Sequence, residues 1–366
     1  MKIHFSILIL IVLVSLRYNS LIVSNKAQYG EEYKSPILPW LIVFAYITIL
    51  AGLRTSMNDT SVYRESFKAL SGTWEEIREI LVGTGKDKGF NILGNLFKMF
   101  VSDDYHMWFL FFAVIESTVF IYIFRRYAYS YAIAMFFFFA STLYYNYFSM
   151  MRQWFAVALV FGGMEFIRKK RMVPYIILCC LAAQIHSSAY IMIPLYFIIK
   201  GKAWSAKQNL IVILFSFTLF FLNPLLDTLE NVLQGTTYDY VIATMQTNTG
   251  SSVLRVFIAA VPVILAFVGR NWIEDETMNI CVNASIINFM LNALATFTSG
   301  LYVIRLANYT SLYNVLLYPY LMETIFTDRS KKFIKTVFYI LYFLFYVYQM
   351  IHQGSFGYES DIIGKF

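Results

Sequence analysis

Hydrophobic runs of bilayer length, separated by short charged loops, dominate this chain. Runs near 4–23, 36–53, 105–124, 130–148, 150–167, 173–185, 187–199, 208–222, 252–269, 277–297, 301–322 and 333–351 approach the ~20 apolar residues a membrane-crossing helix needs. They predict an all-α fold: a polytopic transmembrane helix bundle of about twelve spans, forming one integral membrane domain over 1–366. The stretch 173–199 reads two ways, as two short crossings or as one re-entrant hairpin, hinged around Gln184-Ile185-His186-Ser187-Ser188. No convincing small-residue cleavage site follows the run IHFSILILIVLVSL, so it reads as a retained first span.

Between the second and third runs the pattern changes. SVYRESFKAL and TWEEIREIL carry one apolar and one charged face, which predicts helices. GFNILGNLFKMF places Phe90, Leu93, Leu96, Phe97 and Phe100 at helical spacing. The segment 54–104 is therefore an ordered loop with amphipathic helices, lying on the membrane surface or capping the bundle. A second polar segment occupies 223–251.

Composition excludes a soluble globular domain, because 59% of the 366 residues are hydrophobic and only 14% charged. The net charge of +7 is no nucleic-acid signal, since the basic residues fall mostly in short loops. Arg125-Arg126, Arg168–Arg171, Lys200, Lys202, Lys207, Arg329, Lys331, Lys332 and Lys335 all fall on one side, which the positive-inside rule makes cytoplasmic. Both termini, 54–104 and 223–251 then face outward. Cys179, Cys180 and Cys281 lie in apolar segments and offer neither a disulfide framework nor metal-ligand spacing. There is no phosphate-binding Gly-rich loop, no zinc-binding helix motif and no nucleophile elbow, so no metal and no cofactor are expected.

Two arginines inside apolar stretches carry the chemistry: Arg152 in MMRQWFAVALVFGGM and Arg305 in GLYVIRLANYTSLYNVLLYP. A guanidinium at mid-helix costs ~2.5–3.5 kcal/mol on insertion scales and cannot shed its charge. Both sit near the outer beginnings of their spans, where helix N-termini favour anions and a bidentate fork suits phosphate oxygens. Snorkelling to the interface is the competing explanation. Arg54 ends an apolar span, where a cation also suits the helix dipole. His186 sits at the polar break and can take a proton from a hydroxyl, or simply bond across a hinge. Asp59 follows Arg54 closely, whereas Asp103-Asp104 read as solvated acids. Ser285, Asn288, Asn292, Thr296 and Ser299 form one polar stripe, and Arg305, Asn308 and Ser311 another. Such stripes either bond helix to helix or line a cavity. Tyr144, Tyr145 and Tyr147 read as an interfacial aromatic belt, with a sugar-stacking platform as the alternative.

The segments AGLRTSMNDTSVYRESF, GFNILGNLF, MRQWFAVALVFGG, LAAQIHSSAYIMIPLYF and RLANYTSLYNVLLYP, in that order, resemble the EpsG family of exopolysaccharide and O-antigen polymerases of the Wzy type. The resemblance runs from the first span to about residue 320. It implies a GT-C-like glycosyltransferase in the bacterial cytoplasmic membrane. The implied substrates are oligosaccharide repeat units on undecaprenyl diphosphate, with a flippase and a chain-length regulator as partners. The family's loop motif falls on Arg54, Asp59 and Tyr63, its membrane arginine on Arg152, its histidine on His186 and its late arginine on Arg305. Arg152, Arg305 and Arg54 would then bind the diphosphate without metal. His186, and after it Asp59, would be the base, and Tyr63, Asn288, Asn292 and Asn308 would line the cavity. Two positions depart from the pattern: Met57-Asn58 stand where many relatives have Gly before the aspartate, and Lys88 stands before Gly89-Phe90 where many carry an acid. Competing readings are a metal-dependent GT-C transferase using lipid-monophosphate sugars, a membrane acyltransferase and a flippase for lipid-linked oligosaccharide.

Overall fold

Apolar runs become helices because backbone groups taken out of water must bond within their own segment. The computed structural model describes residues 2–29, 35–222, 250–298, 300–352 and 357–365. Among the described residues the fold is all-α apart from one hairpin of two-residue strands. Among the described residues, three helices are long and apolar enough to cross a membrane: Tyr105–Tyr127, Glu276–Phe297 and Asp328–His352. Shorter apolar helices cover most of the other runs. The predicted loop 223–251 lies outside the described residues, except for its last two positions.

The chain folds as two compact units. The first comprises 1–166, 171–193 and 328–366. Within it, α1 (Lys2–Tyr29) packs on α2 (Ile37–Gly52) and α7 (Tyr131–Ala140), and α2 packs on α6 (Tyr105–Tyr127). Helix α9 (Met151–Gly162) lies against α6 and α11 (Met172–Ile185). The run 130–148 is broken: α7 ends at Ala140, Thr142 takes a left-handed φ of 63°, and a 3₁₀ turn (Leu143–Tyr145) leads to α8 (Asn146–Ser149). The run 150–167 also breaks, into α9 and α10 (Met164–Arg168).

The segment 54–104 forms α3 (Thr60–Ala69), α4 (Trp74–Val82) and α5 (Lys88–Phe100). Thr73 caps α4 by accepting from Glu76 N–H. Helix α5 packs its apolar face on the first unit. Phe90 and Phe97 pack with Trp108, Phe109 and Phe112 of α6 and with Phe67 of α3, Phe155 of α9 and Ile185 of α11. Only Phe100, 70% exposed, leaves the buried face.

The stretch 173–199 is α11, a 3₁₀ turn (Ser187–Ile191) and α12 (Met192–Ile199), broken at His186, whose backbone is extended. At about 1.5 Å per residue α11 spans ~21 Å, short of a ~30 Å hydrocarbon core.

After α17 (Asp328–His352), β1 (Glu359–Ser360) and β2 (Gly364–Lys365) form a hairpin that returns to the loop behind α2. Glu359 pairs with Ser56, and Thr55 N–H donates to Glu359 O at 2.8 Å. Tyr358 is fully buried and donates its hydroxyl to Leu50 O at 2.9 Å.

The second unit comprises 167–170 and 194–327. Helices α13 (Ala206–Phe220), α14 (Val253–Val268) and α16 (Gly300–Thr324) pack on α15 (Glu276–Phe297). Asp275 caps α15 by accepting from Met278 N–H.

Candidate functional site

Arg152 occupies the first turn of α9. A cation there opposes the helix dipole by ~0.3–1 kcal/mol, so an anion close by is stabilising. That anion is Asp87, whose Oδ2 lies 3.4 Å from the Arg152 guanidinium. The guanidinium also sits over the Tyr63 and Phe90 rings, 5.8 and 5.4 Å from their centroids. Its side chain remains 36% exposed, so a ligand can reach it. The Nε is buried and has no hydrogen-bond partner. Burial pushes the Tyr63 phenol above its ordinary range, and Arg152 opposes that shift.

Asp87 is a residue the sequence reading missed. It takes the N-cap position of α5 in a left-handed conformation, φ 54°, yet makes no side-chain cap bond. A cap bond there would be worth ~1 kcal/mol. Instead one carboxylate oxygen faces Arg152, and the other accepts from Ser187 N–H at 2.9 Å. One side chain thus ties α5, the start of α9 and the turn after α11 together.

His186 lies at that turn, half-buried. Its N–H donates to Ala182 O and its carbonyl accepts from Ala189 N–H. Its Nδ1 is 2.7 Å from Ser188 Oγ, which also accepts from Gln153 Nε2 at 3.5 Å. Gln153 follows Arg152 on α9, so the histidine and the arginine are linked through consecutive residues as well as through Asp87. Gly89 makes the approach of α5 to α11 possible, since a Cβ there would stand 2.5 Å from Gln184 Cβ.

Asp59 heads α3 with its carboxylate exposed and unused as a cap, while its backbone carbonyl accepts from Tyr63 N–H. Asn58 before it has φ 45° and donates to Tyr145 OH at 2.6 Å. Left-handed backbone favours Gly, and Asn tolerates it better than most residues.

Arg54 differs from an exposed phosphate ligand. It is 1% exposed and its guanidinium lies 4.4 Å from the Phe109 centroid. It donates to Ala51 O, to Thr60 Oγ1 at 3.2 Å and to Met151 Sδ at 3.8 Å. In this structure it is a scaffold cation that fixes the loop bearing Asp59 against the start of α9.

The structure therefore brings Arg54, Asp59, Tyr63, Arg152 and His186 into one unit. Arg305, Asn288, Asn292 and Asn308 belong to the other. Asn288 Nδ2 donates to Ala307 O at 2.8 Å across to α16, and Asn292 Nδ2 to Asn288 O. Ser285 donates to Asn314 Oδ1. Arg305 is half-buried on α16, one turn before the buried Asn308.

The three tyrosines form no belt. All are buried. Tyr144 bonds His4 Nδ1 at 2.7 Å and Tyr346 OH at 3.0 Å, and Tyr147 bonds Ser117 Oγ at 3.0 Å. Asp104 caps α6 through His106 N–H. Among the described residues, no group of three or more His, Cys, Asp or Glu is placed to hold a metal ion.

Comparison with curated proteins and with solved structures finds no match. The sequence does match the EpsG family over residues 37–360, from α2 through the start of the C-terminal hairpin, and the chain belongs to that family.

Proposed function

We propose that the protein is a polysaccharide polymerase that joins oligosaccharide repeat units carried on undecaprenyl diphosphate at the outer face of the cytoplasmic membrane. Family membership supports polymerase-like activity. The observation that carries the site is the convergence of Arg152 and of Ser187, the residue after His186, on one carboxylate, Asp87, which joins three separate segments. Arg152 is the diphosphate ligand: it is the partly exposed cation there, and its buried Nε is unpartnered.

In the tautomer whose Nδ1–H donates to Ser188 Oγ, the His186 Nε2 carries the lone pair and is the atom that takes the proton. The acceptor sugar hydroxyl attacks the anomeric carbon of the donor chain. The carbon–oxygen bond to phosphate breaks, and undecaprenyl diphosphate leaves with the electron pair. The hydroxyl proton goes to Nε2 and then to solvent. Direct displacement inverts the anomeric centre. Arginine stabilises the charge that develops on the leaving diphosphate, the role a preorganised cation fills in such sites. Asp59 is the alternative base in this reading.

The test is the lipid-linked glycan profile of a strain lacking the gene. A polymerase defect leaves single repeat units on lipid or on the final acceptor. Units trapped at the cytoplasmic face would instead make the protein a flippase, and an unchanged profile would remove it from this process.

A further inference from the structure

Asp87 has a duty the reaction scheme does not use. Its backbone sits in a conformation that costs most residues energy, and its side chain forgoes the cap bond its position offers. Both oxygens serve the site: one faces Arg152 NH1 at 3.4 Å, the other accepts from Ser187 N–H at 2.9 Å. The carboxylate is only 13% exposed, while the arginine is 36% exposed. The 3.4 Å contact is longer than a charge-assisted bond at its ~2.7–2.9 Å optimum, so the clasp is loose. A loosely held, partly exposed guanidinium with a carboxylate on one nitrogen is an anion site with its own anion in place.

We propose that Asp87 is a positioning residue and the resident counter-anion of Arg152. It keeps the guanidinium and the His186 turn in register while the site is empty, and yields the guanidinium to an incoming diphosphate. This rests on Arg152 being a diphosphate ligand. Asp87 then opposes ground-state binding and favours turnover. It competes with substrate for the arginine, yet its Ser187 bond keeps the histidine turn in place when the arginine changes partner. A residue with a purely structural role would not weaken substrate binding.

Asp87→Asn is the informative variant. Asn tolerates the left-handed backbone, and its carbonyl still accepts from Ser187 N–H, so folding is preserved while the charge is removed. Equilibrium binding of undecaprenyl diphosphate to the purified full chain is measured, with undecaprenol as the uncharged control. Asp87→Asn should bind the diphosphate about two- to fivefold tighter, the scale of a partly exposed ion pair removed. Polymerisation by the same preparation should show a lower KM, and a lower kcat because the leaving undecaprenyl diphosphate is released more slowly from Arg152. Arg152→Ala should lose the preference for diphosphate over undecaprenol. If Asp87→Asn binds equally or more weakly while Arg152→Ala loses binding, the counter-anion role is refuted and Arg152 keeps its role. If wild type and Arg152→Ala both bind diphosphate no better than undecaprenol, the diphosphate reading of the site fails, and this inference with it.

Discussion

Replacing Gly89 by alanine tests whether the contact between α5 and α11 sets the site. A Cβ at 89 would lie 2.5 Å from Gln184 Cβ, 2.8 Å from Gln184 O and 3.0 Å from its carbonyl carbon. Carbon atoms at rest stand ~3.5–4.0 Å apart, so relief requires the two segments to part by about 1 Å. Two of the three obstructing atoms are backbone, so no side-chain rotation removes the clash. Overpacking of this kind costs ~1–3 kcal/mol. Asp87 lies two residues before Gly89, and Ser187 three after Gln184. The same displacement would stretch the 2.9 Å bond between them and move His186 away from Arg152. A misplacement of ~1 Å can cost ~10²-fold in rate, so polymer should fall by that order. Gly85 supplies the control, because nothing lies within 4 Å of its would-be Cβ. Gly94→Ala should fall between the two, since its nearest obstacle is the flexible tip of Leu70 at 2.5 Å. The three variants are compared in a deletion strain by glycan ladder, by protein in the membrane fraction and by melting temperature in detergent. Wild-type polymer from Gly89→Ala at wild-type protein level would show that the α5–α11 approach does not govern activity.

Arg152→Lys should insert normally yet lose most polymer, because an ammonium lacks the planar fork; full polymer would reduce Arg152 to a point charge. His186→Gln and His186→Ala should both lower turnover by roughly 10²–10⁴-fold with donor binding retained, and near-normal turnover in the Gln variant would make His186 a hinge residue. In a chain with its three cysteines replaced, a cysteine at Gly85 should react with an impermeant reagent on intact cells and one at Lys169 should not; the opposite pattern would invert the topology. Polymerisation by purified protein should persist in EDTA, and rescue by magnesium after loss would favour a metal-dependent transferase using Asp59 or Asp103-Asp104.

Helix positions were legible because an apolar run has one way to satisfy its backbone in lipid. Their ends were less so. The breaks at Thr142 and Gly163 lie within continuous apolar sequence, and hydropathy averages across them. Arg152 and His186 stood out because a charge or a polar break inside an apolar stretch is costly. Asp87 did not, being one of several charges in the loop GTGKDKG. Its one sequence signal, an acid just ahead of a helix, points to a cap it does not make. The tyrosines were misread because their partners His4, Tyr346 and Ser117 lie 140, 202 and 30 residues away. The C-terminal hairpin had no signal at all, since its bonds are to backbone groups near residue 55.

That hairpin constrains how the chain is threaded. Segments that exchange backbone bonds lie on the same side of the bilayer, so the path from Thr55 to Glu359 must cross an even number of times. Asp87 closes two smaller circuits in the same way, to Arg152 and to Ser187, and each must also be even. Charge plays no part in this arithmetic, which makes it an independent check on the positive-inside assignment. Whether 173–199 makes two crossings or none, the total parity is unchanged. Any threading with an odd number of passes between the 53–59 loop and the hairpin is excluded. A reporter fused after residue 366 therefore reads the compartment of the loop that holds Arg54.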